Sequence, residues 1–441
     1  MSTTTNLDTL SLTKKYVLYK DDVEVIDPDE QETIDKIIQA MAKGGEITRK
    51  KYGKSVRTSH AKTHGLVRGE LRVLENLPDY LRQGLFASAK GYDVIARLSH
   101  VPGDLDDDRK VSGPRGFSFK VLGVEGPKLP VHEGETTQDF ILDTGKVFNA
   151  LGAKTFLAQI GLVERTAPRI PEPVKGAVSA VSRATNEALN AVGANSSALD
   201  FFGHPFLHPL GEPYFSQVPI RYGDYIAKLS ITPINHGLKA LKDQKLDLQD
   251  YDGLRVVVTD YFRSHPAEFE VGIQLCTDLG RMPVENANKE WPEDESPYQL
   301  VARLIFPIQD AYSAARQSYV DDSLSFCPAH SLAAHRPLGS IMRARLQAYE
   351  VLGKAPVNRM AMRLANPAAW KECPISLMPL TLKPLNQQTI VITGASSGIG
   401  LATPQAAAAQ EHASCSALEM KKPCAKSSMI LKPVVVKQYT S

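Results

Sequence analysis

The 441-residue sequence has little excess charge, few cysteines and no long apolar run, and each shortage excludes a class of protein. Its 51 Lys+Arg against 49 Asp+Glu leave a formal net charge of only +2. No basic stripe interleaved with aromatic residues occurs, so nucleic-acid binding is not expected. Five cysteines, an odd number in so long a chain, argue against a secreted protein built on disulfides.

Membrane-spanning segments are also missing, because no stretch of roughly 18 uncharged apolar residues occurs. The start, Met1–Asp8, is polar and Thr-rich, without the basic and apolar regions of a signal peptide. With 43% hydrophobic and 23% charged residues, the chain has the proportions of a globular protein. These properties predict a cytoplasmic protein with no transmembrane segment.

Short runs of strand character dominate the chain, with turn residues between them. Apolar residues at helical spacing predict a helix over Asp27–Lys43, ended by Gly44-Gly45, and the Ala-rich segment Pro173–Asn195 predicts another. The absence of regular βαβ alternation favours an α+β fold with a barrel-type body. The predicted strands include Leu71–Val73, Asp93–Leu98, Gly116–Val121, Asp139–Leu142, Tyr225–Pro233, Gly253–Val258, Glu268–Leu275 and Leu300–Ile305.

Three polar segments are candidates for chemistry. Taken singly, each has an ordinary structural interpretation: a surface histidine, a strand pair with a Pro-Arg-Gly turn, and an exposed basic helix. Only their combination changes this interpretation. The segments are Arg57-Thr58-Ser59-His60-Ala61-Lys62, then Arg97-Leu98-Ser99 with Gly113–Lys120, then Arg345-x-x-x-Tyr349.

In order and spacing, these segments resemble haem-dependent catalases and their catalase-like relatives, including allene oxide synthase-like proteins. The resemblance covers about residues 51–359. It implies a catalase-like antiparallel β-barrel core with surrounding helices, and haem b buried between the barrel and the helix of Tyr349. Further matching segments are Asp139–Asp143, similar to Phe-Phe-Ile-Arg-Asp, Trp291-Pro292, similar to Val-Trp-Pro, and Phe326-Cys327-Pro328, similar to Phe-Asp-Pro.

The resemblance makes Tyr349 the axial ligand of the haem iron. A tyrosine phenol ordinarily ionises near pH ~10, yet an iron ligand must be a phenolate. Arg345 lies one helical turn earlier on the same face, where its charge would stabilise that anion. The alternative is a surface cation stacked on a tyrosine.

The same resemblance assigns the other site residues. His60 takes the place of the distal histidine, which would shuttle a proton between the two oxygens of a peroxide. Arg57 and Arg97 take positions beside the haem propionates, where a guanidinium suits a carboxylate. Phe140 and Phe148 either line the pocket or belong to the ordinary core.

Three positions depart from the catalase pattern. The asparagine that orients peroxide is missing from residues 133–138, so Thr137 or Gln138 is the candidate to supply a hydrogen bond. Ser59 precedes the distal histidine where catalases have valine and allene oxide synthases have threonine, and its hydroxyl could restrain the imidazole. The third propionate arginine has only a poor counterpart, Arg359.

These departures favour a haem enzyme that acts on peroxides, in particular organic or fatty-acid hydroperoxides, over an efficient catalase. Two alternatives stay open: an ordinary catalase that disproportionates hydrogen peroxide in oxidative-stress defence, and a haem-binding protein without turnover. The expected partners are a peroxide or lipid hydroperoxide, and a homo-oligomer is compatible with the resemblance.

The C-terminal part resembles a different family. Four prolines within residues 366–388 predict a linker between a haem domain, residues 1–365, and a remnant, residues 389–441. The strand Thr389–Ile392 and the run Thr393-Gly394-x-x-x-Gly398-x-Gly400 resemble the start of a short-chain dehydrogenase/reductase. Only 41 residues follow Gly400, too few for the catalytic Tyr-x-x-x-Lys domain, so NAD(P) binding is not expected. Back-translation of residues 422–441 in another frame suggests a frameshift truncation.

Overall fold

The computed structural model describes residues 15–54, 56–166, 172–191 and 197–354, with three short strands beyond them. By its contacts the chain divides into two units, residues 1–376 and 377–441. The predicted linker, Arg359, the Gly394–Gly400 run and most of the tail lie outside the described residues.

An antiparallel β-barrel forms the body of the first unit. Eight strands close a ring in the order β1-β2-β3-β4-β5-β7-β8-β9, because β5 pairs with both β4 and β7 and β9 returns to β1. A ninth strand, β6, pairs antiparallel with β7 and takes no part in closing the ring. The strands are β1 (Thr63–Val73), β2 (Gly91–His100), β3 (Arg115–Leu122), β4 (Thr137–Asp143), β5 (Tyr214–Phe215), β6 (Ile220–Tyr222), β7 (Tyr225–Pro233), β8 (Ala267–Leu275) and β9 (Gln299–Phe306).

The barrel interior is apolar and aromatic. Side chains of alternate strand residues point inward, so Leu98, Phe117, Phe119 and Leu142 share one buried cluster. Phe117 packs on Phe269 of β8 with ring centroids 5.4 Å apart. The intervening residues of β2, β3 and β4 face outward, and many of these are polar yet buried. This sequence pattern produces a filled core and a second, polar face on the same three strands.

Helices surround the barrel, and their cluster of Ile34, Ile37, Ala153 and Ala344 packs α1, α2 and α8 together. Among the described helices, none combines the length and hydrophobicity that crossing a bilayer requires. The helices are α1 (Glu30–Tyr52), α2 (Ala153–Thr166), α3 (Glu172–Ala191), α4 (Ser197–Gly203), α5 (His236–Lys239), α6 (Gly253–Ser264), α7 (Ala314–Asp322) and α8 (Ser340–Lys354).

Two sequence predictions for secondary structure are wrong. Residues 253–258, predicted as a strand, begin helix α6, which buries Leu254, Val258 and Phe262 at helical spacing. A short apolar run fits either element, and tertiary burial decides between them. Helix α1 continues through the predicted stop at Gly44-Gly45 and ends at Tyr52. Gly53 follows it with φ +68°, the left-handed conformation in which glycine commonly ends a helix.

The second unit is described only by its strands. β10 (Ile390–Ile392) pairs in parallel with β11 (Cys415–Ala417), which pairs antiparallel with β12 (Val434–Val435). The predicted strand over residues 389–392 is therefore present over its last three residues.

Candidate functional site

His60 lies against the outer face of β2, β3 and β4, where one cross-strand row, Ser99–Gly116–Asp143, supports its ring. Ser99 Oγ is 3.3 Å from Nδ1 of His60, and Asp143 Oδ1 is 3.8 Å from Nε2. A methyl group on Gly116 would come within 2.6 Å of Nδ1, so the ring needs the bare backbone there. The strand register thus places a hydroxyl and a carboxyl at the two nitrogens of one imidazole.

The backbone of His60 adopts φ +54°, a left-handed conformation that is uncommon outside glycine and costs roughly 1–3 kcal/mol. Hydrogen bonds hold this conformation in place. The His60 amide donates to Val101 O at 2.9 Å, and Nη2 of Arg97 donates to His60 O at 2.5 Å. Strain kept by surrounding contacts is typical of functional positions.

Burial shifts the pKa values of both His60 and Asp143 away from those of solvated groups. Burial, followed by the charge of Arg97, lowers the pKa of His60 well below its usual range. Burial raises the pKa of Asp143 to about 7, although Arg345 opposes this shift. His60 is therefore a neutral base near pH 7, beside a carboxyl that is then close to half protonated.

Sequence reasoning missed both Ser99 and Asp143 as functional residues. The sequence carries a partial signal, because Gly116 begins a predicted strand, and Ser99 and Asp143 each directly follow the end of one. Pairing register, which joins them into one row, depends on contacts between distant segments and cannot be derived from local pattern alone.

Two arginines lie beside this row. Arg97 and Ser118 form the next outward row with Ile141, and all three line a cavity above the sheet. Nη2 of Arg57 donates to Val320 O at 2.5 Å and to Leu324 O at 2.8 Å, while its buried Nε has no partner among the described atoms. Burial, followed by the charge of Arg57, lowers the pKa of Arg97 to about 9.

Helix α8 presents Tyr349 to the same cavity. Arg345 lies one turn earlier, and its guanidinium carbon is 5.8 Å from the ring centroid of Tyr349. Burial alone would lower the pKa of Arg345, but the nearby Tyr349 side chain raises it, and the net direction is upward. Arg345 and Tyr349 thus lie one turn apart on the same face of α8.

An ion cluster fixes the start of α8. Arg343 bridges three carboxylates, those of Glu24, Glu30 and Glu285, at 2.6, 2.7 and 2.9 Å. Glu24 and Glu285 also accept the amides of Gly339 and Ser340 at 2.8 Å each, which satisfies two backbone donors at the helix N-terminus. Because the cluster includes residues from distant segments, it sets the position of the helix that carries Tyr349.

Three other predicted site residues do not contact the His60 ring as the sequence suggests. Ser59 lines the cavity, but its hydroxyl donates to Val101 O at 3.1 Å, while Ser99 contacts the imidazole. Phe140 faces the barrel interior instead of lining the cavity, and its ring centroid lies 5.0 Å from that of Phe119. Phe148 packs on Phe156 in a separate cluster beside α2.

Thr137 is also misplaced by the sequence prediction. It begins β4, and Asp143, beside His60, ends it. Six residues at about 3.3 Å each separate the two by roughly 20 Å. Thr137 is buried, and its carbonyl accepts a hydrogen bond from Lys128 Nζ at 2.8 Å. The side chain that accompanies His60 is therefore the carboxyl of Asp143.

The cavity has a volume of about 760 Å³ and lies between the outer face of the sheet and α8. His60 and Arg97 line it from the barrel side, and Tyr349 lines it from the helix. Apolar walls come from Val56, Ile141, Phe326, Leu346 and Leu352. The arrangement can hold a large, mostly apolar ligand with negatively charged groups, and it offers that ligand an acid–base pair.

Comparison with known proteins shows the fold. No family model matches the sequence, and no curated protein does. Catalase A from Saccharomyces cerevisiae is similar in structure, with a TM-score of 0.50 at 16% identity over 80% of this chain and 72% of that chain. A bacterial catalase has a TM-score of 0.49 at 13% identity over 80% of this chain and 68% of its own. The closed eight-stranded barrel with surrounding helices, and its similarity to the yeast enzyme, give this chain a catalase-like fold, as the sequence predicts.

Proposed function

We propose that the cavity binds one haem b and that the protein is a haem-dependent enzyme that reacts with peroxides, in particular organic or fatty-acid hydroperoxides. One observation carries the proposal: a tyrosine–arginine pair and a strained, neutral histidine face one cavity from opposite walls. The catalase-like fold supports the proposal at the level of architecture.

The charges around the cavity fit a dianionic porphyrin. Arg57, Arg97 and Arg345 lie close together and largely out of solvent, and their nearest carboxyls are Asp321 and Asp143. Burial lowers the pKa of Arg57 and of Arg97, which means that their charges lack full compensation. Two propionates would supply it, and the unpartnered Nε of Arg57 offers a donor.

Tyr349 would hold the iron through its phenolate oxygen, with Arg345 stabilising that anion. The haem, when bound, supplies the electrons and the open coordination position for cleavage of an O–O bond. His60 can accept a proton at one ring nitrogen and return it, since its pKa keeps it neutral. Asp143, near Nε2, can hold the same proton or accept a hydrogen bond from the ring.

The apolar lining of the site favours a substrate with an apolar portion over hydrogen peroxide. Met41, Leu129 and Val131 also line the cavity and add to its apolar surface. An alkyl chain of a hydroperoxide would bury apolar area there, at about 25 cal/mol per Å². Hydrogen peroxide gains nothing from such a wall.

The test is the absorption spectrum of the purified full chain with haem, compared with its Tyr349→Phe variant. We expect a tyrosinate-type haem spectrum and at least tenfold weaker haem binding in the variant, with Tyr92→Phe, outside the cavity, as the matched control. Equal haem binding and an unchanged spectrum in Tyr349→Phe overturn the proposal.

His60→Ala then separates an enzyme from a haem-binding protein. General acid–base catalysis typically contributes about 10²–10⁴-fold, so a loss of this size is expected. Unchanged peroxide consumption supports haem binding without turnover. Faster oxygen evolution from hydrogen peroxide than consumption of a lipid hydroperoxide supports an ordinary catalase instead.

A further inference from the structure

A second group of ligating side chains lies at the edge of the same cavity, apart from the tyrosine–arginine pair. His132 and Glu135 stand on the connection between β3 and β4, and His330 precedes α8. One nitrogen of each histidine and one carboxylate oxygen of Glu135 lie within 4.8 Å of one another. The two imidazoles meet edge to face, with centroids 5.2 Å apart.

A buried carboxylate holds the ring of His330, as is common for a metal-ligating histidine. Nδ1 of His330 lies 3.0 Å from Oδ2 of Asp139 and 3.3 Å from Lys120 Nζ, and Lys120 and Asp139 form a buried ion pair at 2.6 Å. In the tautomer with Nδ1 donating to Asp139, Nε2 keeps the lone pair that a cation binds. Asp139 is itself fully buried, so this orienting contact is rigid.

Three carboxylates lie close enough to His132 to act on its ring electrostatically, those of Glu135, Glu350 and Glu133. These three carboxylates give the position a negative potential, which favours a divalent cation.

The local backbone is held in an unusual conformation at this point. Val131, next to His132, has φ +72°, a genuine outlier for a β-branched residue. Neighbouring bonds dock the connection on the segment of His330, since Leu129 N donates to Ser331 O at 3.2 Å and Ala333 N donates to Pro127 O at 2.8 Å. The strained turn therefore carries His132 toward His330 on an anchored loop.

We propose that His132, Glu135 and His330 bind one divalent transition-metal ion of the zinc class. Two imidazoles and a carboxylate are a common zinc set, with a water completing the tetrahedron. Zinc ligands at ~2.0–2.1 Å lie roughly 3.3 Å apart, so the partly buried His132 and Glu135 would close on His330 by at most about 1.5 Å.

The ion would fasten the β3–β4 connection, which carries the cavity wall residues Leu129 and Val131, to the segment that leads into the helix of Tyr349. This role does not require a haem, because none of the three ligands belongs to the tyrosine–arginine pair or to the His60 row. It adds a metal ion of a different kind to the protein.

Isothermal titration of Zn²⁺ into the tag-free, chelator-treated full chain tests the proposal, with Co²⁺ as a spectroscopic probe. We expect one equivalent bound, a tetrahedral cobalt spectrum, and a zinc-dependent rise in melting temperature. Loss of an outer-shell partner typically costs ~10–100-fold in metal affinity, so His132→Gln and Glu135→Gln should each cost at least that much.

The control is His265→Gln, an exposed histidine outside the cluster, which should bind zinc as the parent chain does. Both ligand variants alter partly exposed positions, and circular dichroism verifies their folding. Absence of stoichiometric zinc binding to the parent chain overturns the proposal. So does undiminished binding in both ligand variants. Because zinc and cobalt are the measured metals, either result is independent of haem.

Discussion

Two aspartates on one strand, four residues apart and on the same face, have opposite electrostatic environments. Asp139 forms an ion pair with Lys120 at 2.6 Å, receives the amide of Cys327 at 2.9 Å, and orients His330. Although burial alone would raise its pKa, Lys120 and His330 lower it below the usual range. At the other end of β4, Asp143 Oδ1 lacks a hydrogen-bond partner among the described atoms, and burial raises the pKa of Asp143 to about 7.

The difference shows how a single polar face serves two purposes. Where the row Ile95–Lys120–Asp139 pairs a cation with an anion, the strands gain a neutral, rigid connection. Where the row Ser99–Gly116–Asp143 has no cation, the carboxyl stays able to exchange a proton beside His60. The unpaired end, where Asp143 keeps an exchangeable proton beside His60, is therefore the end that we propose takes part in chemistry.

Asp139→Asn should have the largest effect on stability. It leaves Lys120 charged and buried without its anion, and removal of one partner of a buried pair costs roughly 3–5 kcal/mol. Urea unfolding at pH 8 measures the loss. The double replacement Lys120→Met with Asp139→Leu removes both charges and should recover most of it. Equal stability of Asp139→Asn and the parent chain contradicts the structural role of this pair.

Asp143→Asn, the same substitution at the other end of β4, should stabilise the fold at alkaline pH, whereas Asp139→Asn destabilises it. The folded pKa of about 7 lies above the ordinary value of 3.8, so the folded chain binds the proton more tightly and loses stability as pH rises from about 4 to 7. The variant lacks that titration. Its stability relative to the parent should therefore rise by about 2–3 kcal/mol between pH 5 and pH 8.

Urea unfolding at both pH values measures this difference, with Asp139→Asn as the matched variant on the same strand. Parallel pH dependence in the parent chain and in Asp143→Asn would show that Asp143 ionises normally. The peroxide reaction supplies a second readout, because its rate should lose a titration near pH 7 in the variant.

Gly116→Ala tests the contact between the strand row and the histidine. The new methyl would lie 2.6 Å from Nδ1 of His60 and 2.8 Å from Ser99 Oγ. Overpacking of this kind costs roughly 1–3 kcal/mol and should displace the ring, with at least a tenfold loss in peroxide reaction. Gly134→Ala is the control, since no atom lies within 4 Å of its added methyl. Equal activity of the two variants would place His60 away from the reacting group.

The sequence predicts the strands better than it predicts their alignment. Residues 225–233 form β7 as expected, because β-branched residues and alternation define a strand locally. Which residues meet across β2, β3 and β4 depends on long-range pairing, and so the sequence directs attention to Thr137 when the neighbour of His60 is Asp143. The cluster around Arg343 was missed for the same reason: its three carboxylates come from separate segments.

Ser99→Ala should have the smallest effect and gives the finest comparison. Ser99 and Ser59 both lie near His60, but only the Ser99 hydroxyl contacts the ring, at 3.3 Å from Nδ1, while Ser59 donates to Val101 O. Loss of either hydrogen bond should lower the free energy of unfolding by about 0.5–1.5 kcal/mol, so stability alone will not distinguish the two variants.

The pH profile of the peroxide reaction will distinguish them, because only Ser99 can favour one tautomer of His60 and thereby set which nitrogen faces Asp143. A shifted profile in Ser99→Ala with an unshifted one in Ser59→Ala assigns the tautomer control to the strand row. The reverse result would return that role to Ser59, as the sequence alone suggests, and would leave Asp143 without a fixed partner at Nε2.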